Sequence, residues 1–355
     1  MRVNMNEADG RSRRYFSWRS ARAERAWRPG QQGKLKEDVR EASSLDEADD
    51  DRNPMNEERG TKHMQANHLH EKTRLGPVHL KVSELDRSVR FYGEVVGLRE
   101  LHRASGRAVL TAGGDESPLV VLHELPNAIV MPRRTTAGLY HFALLVPNRR
   151  ALGLSLRHLL TCGIHVGHSD HLVSEALYIQ DPDNNGIEIY ADRPRETWRR
   201  DESARYVITT DPLDVDGLLK EAGDSPWEGL PAGTSIGHIH FHVSDLLEAR
   251  RFYIETLGFD LMASRDSAMF VSAGGYHHHV GLNTWAGVGA PPAADDAAGL
   301  AYYTLVAPTP EELERTTARL RQAGIALEQD GKAWFARDPF GITVRLTSEE
   351  AIPKG

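Results

Sequence analysis

The stretch His171-Leu-Val-Ser-Glu-Ala-Leu-Tyr178-Ile-Gln-Asp181-Pro-Asp-Asn-Asn-Gly186-Ile-Glu188-Ile-Tyr190 carries an imidazole, a phenol and a carboxylate at spacings that could do chemistry. It reads as two short strands around a turn. Asp181-Pro182 followed by Asn184, Asn185 and Gly186 supplies residues that tolerate left-handed backbone angles. Alternation places Ile187 and Ile189 on one face of the second strand and Glu188 on the other; Tyr178, between Leu177 and Ile179, is presented in the same way. Polar groups facing away from the apolar side of a sheet need a reason, and a metal centre inside a concave sheet supplies one.

The elements that must position these groups repeat along the chain. The segment from His79 to Leu98 aligns without a gap on that from His240 to Phe259, at an offset of 161 residues. The same offset carries Gly138 to Gly299, His141 to Tyr302 and Gly163-Ile164 to Gly324-Ile325. Two copies of one domain are therefore expected at 75–193 and 234–350, joined by a linker over 194–233. Each copy divides again. A strand ending in Ser83 or Ser244 leads into an amphipathic helix that the serine can cap and that Gly97 or Gly258 stops; three short strands come next. The second half repeats the plan, with a strand over Tyr140–Val146, a helix over Arg149–Cys162 and Gly163 as its stop. The fold class is α+β: four βαβββ modules, consecutive modules pairing into two cupped mixed sheets with helices outside.

Residues 1–74 differ from the rest. Arg11, Arg13, Arg14, Arg19 and Arg22 give way to an acidic run at 46–51, with few aliphatic residues, so a disordered arm is expected. A chain of 355 residues with 40% hydrophobic content and no long apolar run gives no membrane-spanning segment. The net charge of −8 gives no reason to expect nucleic acid. One cysteine, Cys162, excludes a disulfide framework and fits a reducing cytoplasm; its place near the end of a helix predicts a buried structural thiol.

Strand parity selects a few of the seventeen histidines. Val78, Leu80 and Val82 face a helix, so His79 faces the cup. Tyr140, Phe142 and Leu144 face outward, so His141 faces in, and His123 shares the inner face with Leu119 and Val121. Two imidazoles, His79 and His141, with the carboxylate of Glu188 form the facial set that suits non-haem Fe(II).

These residues resemble those of the vicinal-oxygen-chelate superfamily and, within it, the type I extradiol (catechol 2,3-) dioxygenases. His171, Leu177, Tyr178, Asp181, Pro182 and Glu188 match the extradiol signature, while Ser169 and Asn184 depart from it. The resemblance implies that His79, His141 and Glu188 bind Fe(II), with Mn(II) as the alternative ion. It implies that His123, His171 and Tyr178 form the acid–base set, and that a catechol ring is opened next to its diol by O₂, giving a 2-hydroxymuconic-semialdehyde-type product. In familiar two-domain relatives the iron lies in the C-terminal domain. Here Tyr302 and Thr343 stand at ligand positions of the second copy, which is read as structural, a wall or lid. His240 with His277, His278 and His279 leaves two alternatives: a second metal there, or a module-swapped site in which His240 joins His141 and Glu188. Two rival functions stand beside the dioxygenase: a metal-free small-molecule-binding protein, and a glyoxalase-type isomerase using Zn²⁺ or Ni²⁺. The expected partners are a catechol and O₂, with self-association through module edges.

Overall fold

In the computed structural model, which describes residues 68–352, strands and helices follow the fourfold plan. Module one comprises β1 (Arg74–Val82), α1 (Leu85–Phe91, continued by a π-helical turn, Tyr92–Val96), β2 (Arg99–Ala104), β3 (Arg107–Thr111) and β4 (Val120–Glu124). Module two comprises β5 (Gly138–Leu145), α2 (Arg149–Thr161), β6 (Gly167–Asp170), β7 (Ser174–Gln180) and β8 (Gly186–Asp192). The linker contains α3 (Val215–Ala222). Module three has β9 (Ser235–His242), α4 (Leu246–Arg250, continued by a π-helical turn), β10 (Asp260–Arg265), β11 (Ala268–Ser272) and β12 (Val280–Asn283). Module four has β13 (Gly299–Ala307), α5 (Pro310–Gln322), β14 (Leu327–Asp330), β15 (Ala333–Arg337) and β16 (Thr343–Ser348).

The two mixed sheets do not unite consecutive modules. One runs β14-β15-β16-β13-β1-β4-β3-β2 and joins modules four and one; the other runs β10-β11-β12-β9-β5-β8-β7-β6 and joins modules three and two. The expectation that each sequence repeat forms its own cup is corrected accordingly. Within its own module the opening strand is paired on one side only, and the other side is filled from a different module: β1 takes β13 antiparallel while β5 takes β9. Local sequence is satisfied by any of these partners, so periodicity does not choose among them.

Each repeat is nevertheless tied together, by a buried bond from helix to turn. Tyr92 donates its hydroxyl to Asp181 Oδ2 at 3.0 Å, and in the second repeat Tyr253 donates to Asp338 Oδ2 at 2.8 Å. Asp181 also accepts the backbone N–H groups of Asp183 and Asn185 at 2.9 and 2.8 Å, which closes the turn leading to Glu188. Asp181→Ala strands these buried donors, and we expect a loss of about 3 kcal/mol or more, read as a lower urea midpoint.

Local details refine the sequence reading. The caps are Glu84, which accepts from Arg87 N, and Asp245, which accepts from Leu247 N and Glu248 N, rather than the serines before them. Ser83 is drawn away by Asp183, which receives its backbone N–H at 2.9 Å and its hydroxyl at 2.5 Å. Asn148 caps α2, and Gly163 (φ +70°) ends it in the left-handed region. Cys162 is exposed, not buried, because the last turn of α2 meets solvent; its Sγ lies 3.4 Å from His158 Nε2. Of the expected disordered arm, residues 1–67 lie outside the described residues. Ordered structure begins before residue 74, for Leu69 is buried and donates its N–H to Gly258 O at 2.7 Å. Among the described residues no helix is long and apolar enough to cross a membrane.

Candidate metal centre

Four strands of the second sheet align one row of side chains on its concave face. Tyr178 on β7 is opposite Glu188 on β8, Glu188 is opposite Ala143 on β5, and Ala143 is opposite His238 on β9. The methyl group of Ala143 leaves the gap across which Glu188 and His238 meet. The next row places Gly186, His141, His240 and Gly281 side by side. Its two glycines flank two imidazoles. A Cβ on Gly186 would lie 2.1 Å from Tyr140 O and 3.0 Å from His141 Cβ, and one on Gly281 would press on the His240 ring at 2.8 Å. Gly186→Ala should therefore push β5 and β8 apart, costing about 1–3 kcal/mol and lowering metal occupancy, checked by denaturation and metal analysis.

His141, Glu188 and His238 are buried, and their donor atoms lie within 4.8 Å of one another. Among the described residues no other trio of His, Cys, Asp or Glu side chains converges so. Nε2 of His141 and Nε2 of His238 each lie 3.0 Å from Glu188 Oε2. Burial alone would raise the Glu188 carboxyl, but the charges and hydrogen bonds of His238 and His141 outweigh it and hold the group well below its ordinary range. Burial lowers His238 to about 4 against the pull of Glu188. A carboxylate between two imidazoles is a donor set for a divalent cation. The fit is visible in the convergence of donors: one buried oxygen, Glu188 Oε2, faces the Nε2 atoms of both His141 and His238.

The structure brings His141 and Glu188 together as read from sequence, but not with His79. His79 lies on β1 in the other sheet, with its Nδ1 3.0 Å from His123 Nε2 and its ring stacked on Tyr302 at a centroid distance of 4.0 Å. Both His79 as ligand and His123 as neighbouring acid–base group are thus removed from this centre, because module one pairs with module four. The third residue of the cluster is His238, not the swapped alternative His240. His238, His240 and His242 alternate along β9 and share its inner face, a signal present in the sequence but masked by the repeat alignment, which singled out His240 alone. His240 instead contacts Asn283 Nδ2 through Nε2 at 2.9 Å, and His242 Nδ1 lies 2.6 Å from Asn283 Oδ1.

The surrounding residues close the site. His278 does not define a separate metal group; its ring packs on His238 at 4.1 Å and its Nδ1 lies 2.7 Å from that of His277, which in turn bonds Asp192 through Nε2 at 2.9 Å. Parity points Tyr140 outward, but a register slip between Leu139 and His141 turns its ring towards His242 at 4.8 Å and Trp285 at 5.5 Å. His171 lies in the bend between β6 and β7. Its Nε2 is 2.6 Å from the Tyr178 hydroxyl, and its Nδ1 is 2.5 Å from the carbonyl oxygen of Thr209 in the linker. Burial and then the charge of Glu188 raise the Tyr178 phenol well above its ordinary value, so it stays protonated.

Fold and donor set together define a protein of paired βαβββ modules with a buried two-histidine, one-carboxylate metal site. The model of the Glyoxalase/Bleomycin resistance protein/Dioxygenase superfamily matches residues 74–189 and 235–346, and the chain belongs to that superfamily. It is 51% identical over 273 residues to Catechol-2,3-dioxygenase of Bacillus subtilis (strain 168), covering 76% of this chain and 95% of that relative. A crystal structure of a candidate dioxygenase from Bacillus subtilis subsp. subtilis str. 168 superposes with a TM-score of 0.54 at 11% identity, over 81% of this chain and 87% of that one, and is similar in fold.

Proposed function

We propose that this protein is an extradiol dioxygenase that opens a catechol next to its diol with O₂, and that His141, Glu188 and His238 hold Fe(II). The observation that carries the reading is the buried His-Glu-His set beside the Tyr178–His171 pair, in a chain 51% identical to a catechol-2,3-dioxygenase. His141, Glu188 and His238 would hold the ion, which when bound would acidify a diol hydroxyl and bring the diol and O₂ together.

The chain's own residues handle the proton. The Thr209 carbonyl can only accept, so His171 carries its hydrogen on Nδ1 and offers Nε2 as acceptor to the Tyr178 hydroxyl. A substrate hydroxyl that donates to the Tyr178 oxygen lets the phenol proton pass to His171. The walls formed by Tyr140, His242 and Trp285 provide flat surfaces against which an aromatic ring can lie.

Tyr178→Phe should retain the metal but reduce turnover by about 10²-fold or more, because it removes the proton path and leaves the ligands in place. Elemental analysis and oxygen uptake on the same sample separate the two effects. The parent test supplies catechol to iron-loaded protein in air and follows O₂ consumption with the appearance of a yellow semialdehyde. Turnover under strict anaerobiosis would instead assign an isomerase, and no turnover with any catechol would leave a binding protein.

A further inference from the structure

The sheet formed by modules one and four has an inner face of its own, and the proposed reaction makes no use of it. Val78, Leu80 and Val82 point into the core, so His79 lies on the opposite, concave side. In register its neighbours are Val121 on β4 and Tyr302 on β13. Tyr302 stacks on His79 and meets Phe335 edge-on at 5.2 Å, forming an aromatic floor that is only partly buried.

Two arginines flank this floor. Arg107 on β3 is opposite His123, and Arg345 on β16 lies between Thr304 and Phe335. Neither guanidinium has a hydrogen-bond or ion-pair partner among the described residues, whereas arginines elsewhere, such as Arg149 and Arg193, are paired with carboxylates. The Thr304 hydroxyl, in register with Arg345, is fully buried and also without a partner. Lys81 and Arg337 share the face, opposite His123 and Thr343. Glu328 and Asp330 are exposed on the edge strand β14 and pair with neither arginine; Asp295 and Asp296 lie by Lys81, whose Nζ donates to the Asp295 carbonyl oxygen at 3.0 Å.

Such a face repels a cation. Burial lowers His79 to about 2, with His123, Arg345 and Arg107 adding to the effect, and burial followed by Arg107 lowers His123. No carboxylate stands where Glu188 stands in the other sheet. Glu188 is opposite Ala143, and opposite Thr304, which the repeat aligns with Ala143, lies Arg345. Strand register thus gives the glutamate's place to an arginine, one row beyond the Thr343 that the motif alignment assigned to it. Unpaired guanidinium groups beside partly exposed aromatic rings are suited to a negatively charged, flat molecule.

We propose that this inner face is a second, metal-free binding site for a small organic anion. Its carboxylate or phosphate is drawn to Arg107 and Arg345, and its body rests on Tyr302 and Phe335. The inference is independent of the reaction assigned to the other sheet.

Calorimetric titration of the full, metal-loaded chain with benzoate and, separately, with inorganic phosphate tests it. A saturable one-to-one heat is expected, weakened at least tenfold in Arg345→Ala and in Arg107→Ala and unchanged when the metal has been removed from the parent by chelation. Tighter binding of benzoate identifies an aromatic acid as the ligand class, and binding of phosphate alone identifies a phosphate ester. Arg107 is exposed, so its alanine variant decides the matter even if Arg345→Ala does not fold. Absence of saturable heat with both anions overturns the proposal, as does a heat that survives both arginine substitutions or vanishes when the metal is removed.

Discussion

Glu188→Gln will yield a folded protein that neither retains a divalent ion nor opens a catechol ring. The amide matches the carboxylate in shape but brings no charge to a pocket where two imidazoles face it at 3.0 Å. Electrostatic attraction for a cation is strongest where water is excluded, and Glu188, His141 and His238 are all buried. Metal content should fall below one tenth of the parent's, and oxygen uptake with it. A thermal scan provides a check independent of turnover. Chelation should lower the unfolding temperature of the parent, since ligand at about a thousand times its dissociation constant contributes about 4 kcal/mol of stability. Addition or removal of metal should leave the Glu188→Gln transition where it is. A variant that still responds to chelator would show that Glu188 is not the acidic donor.

The second large effect is a contrast between two histidines. His238→Ala should abolish metal retention and activity, as His141→Ala should, because each removes one of three donors and leaves Glu188 buried with a single imidazole partner. His79→Ala should keep its metal and its turnover within a few-fold, because that ring lies in the other sheet against His123 and Tyr302. Elemental analysis of the two purified variants is sufficient. Loss of metal in His79→Ala with retention in His238→Ala would restore pairing of consecutive modules and refute the strand order. Equal loss in both would argue that the sheets act as one unit and that neither assignment stands alone.

The contrast also marks the limit of what could be read from the chain. Period-two alternation placed Glu188 opposite Ile187 and Ile189, and His141 opposite Phe142 and Leu144; in the fold the apolar members fill the core and the polar ones face the cup. Asp181, Asn184 and Asn185 marked the turn, and the turn is built from the carboxylate of Asp181 and the left-handed backbone of Asn184 (φ +66°). Tyr140 escaped the alternation because a bulge turned it, and bulges leave no mark in a simple parity count.

Residue types and their periods, which reflect local backbone geometry and the burial of apolar side chains, thus specified by themselves four modules, their inner faces and two of the three residues of the buried His-Glu-His trio. The identity of the third donor was decided only when strand edges chose their partners. That choice is made by packing among segments far apart in the chain, and β5 joined β9 rather than β1. Until two strands lie side by side, a histidine on each is only a side chain on the correct face; their register decides whether the two can grip one ion.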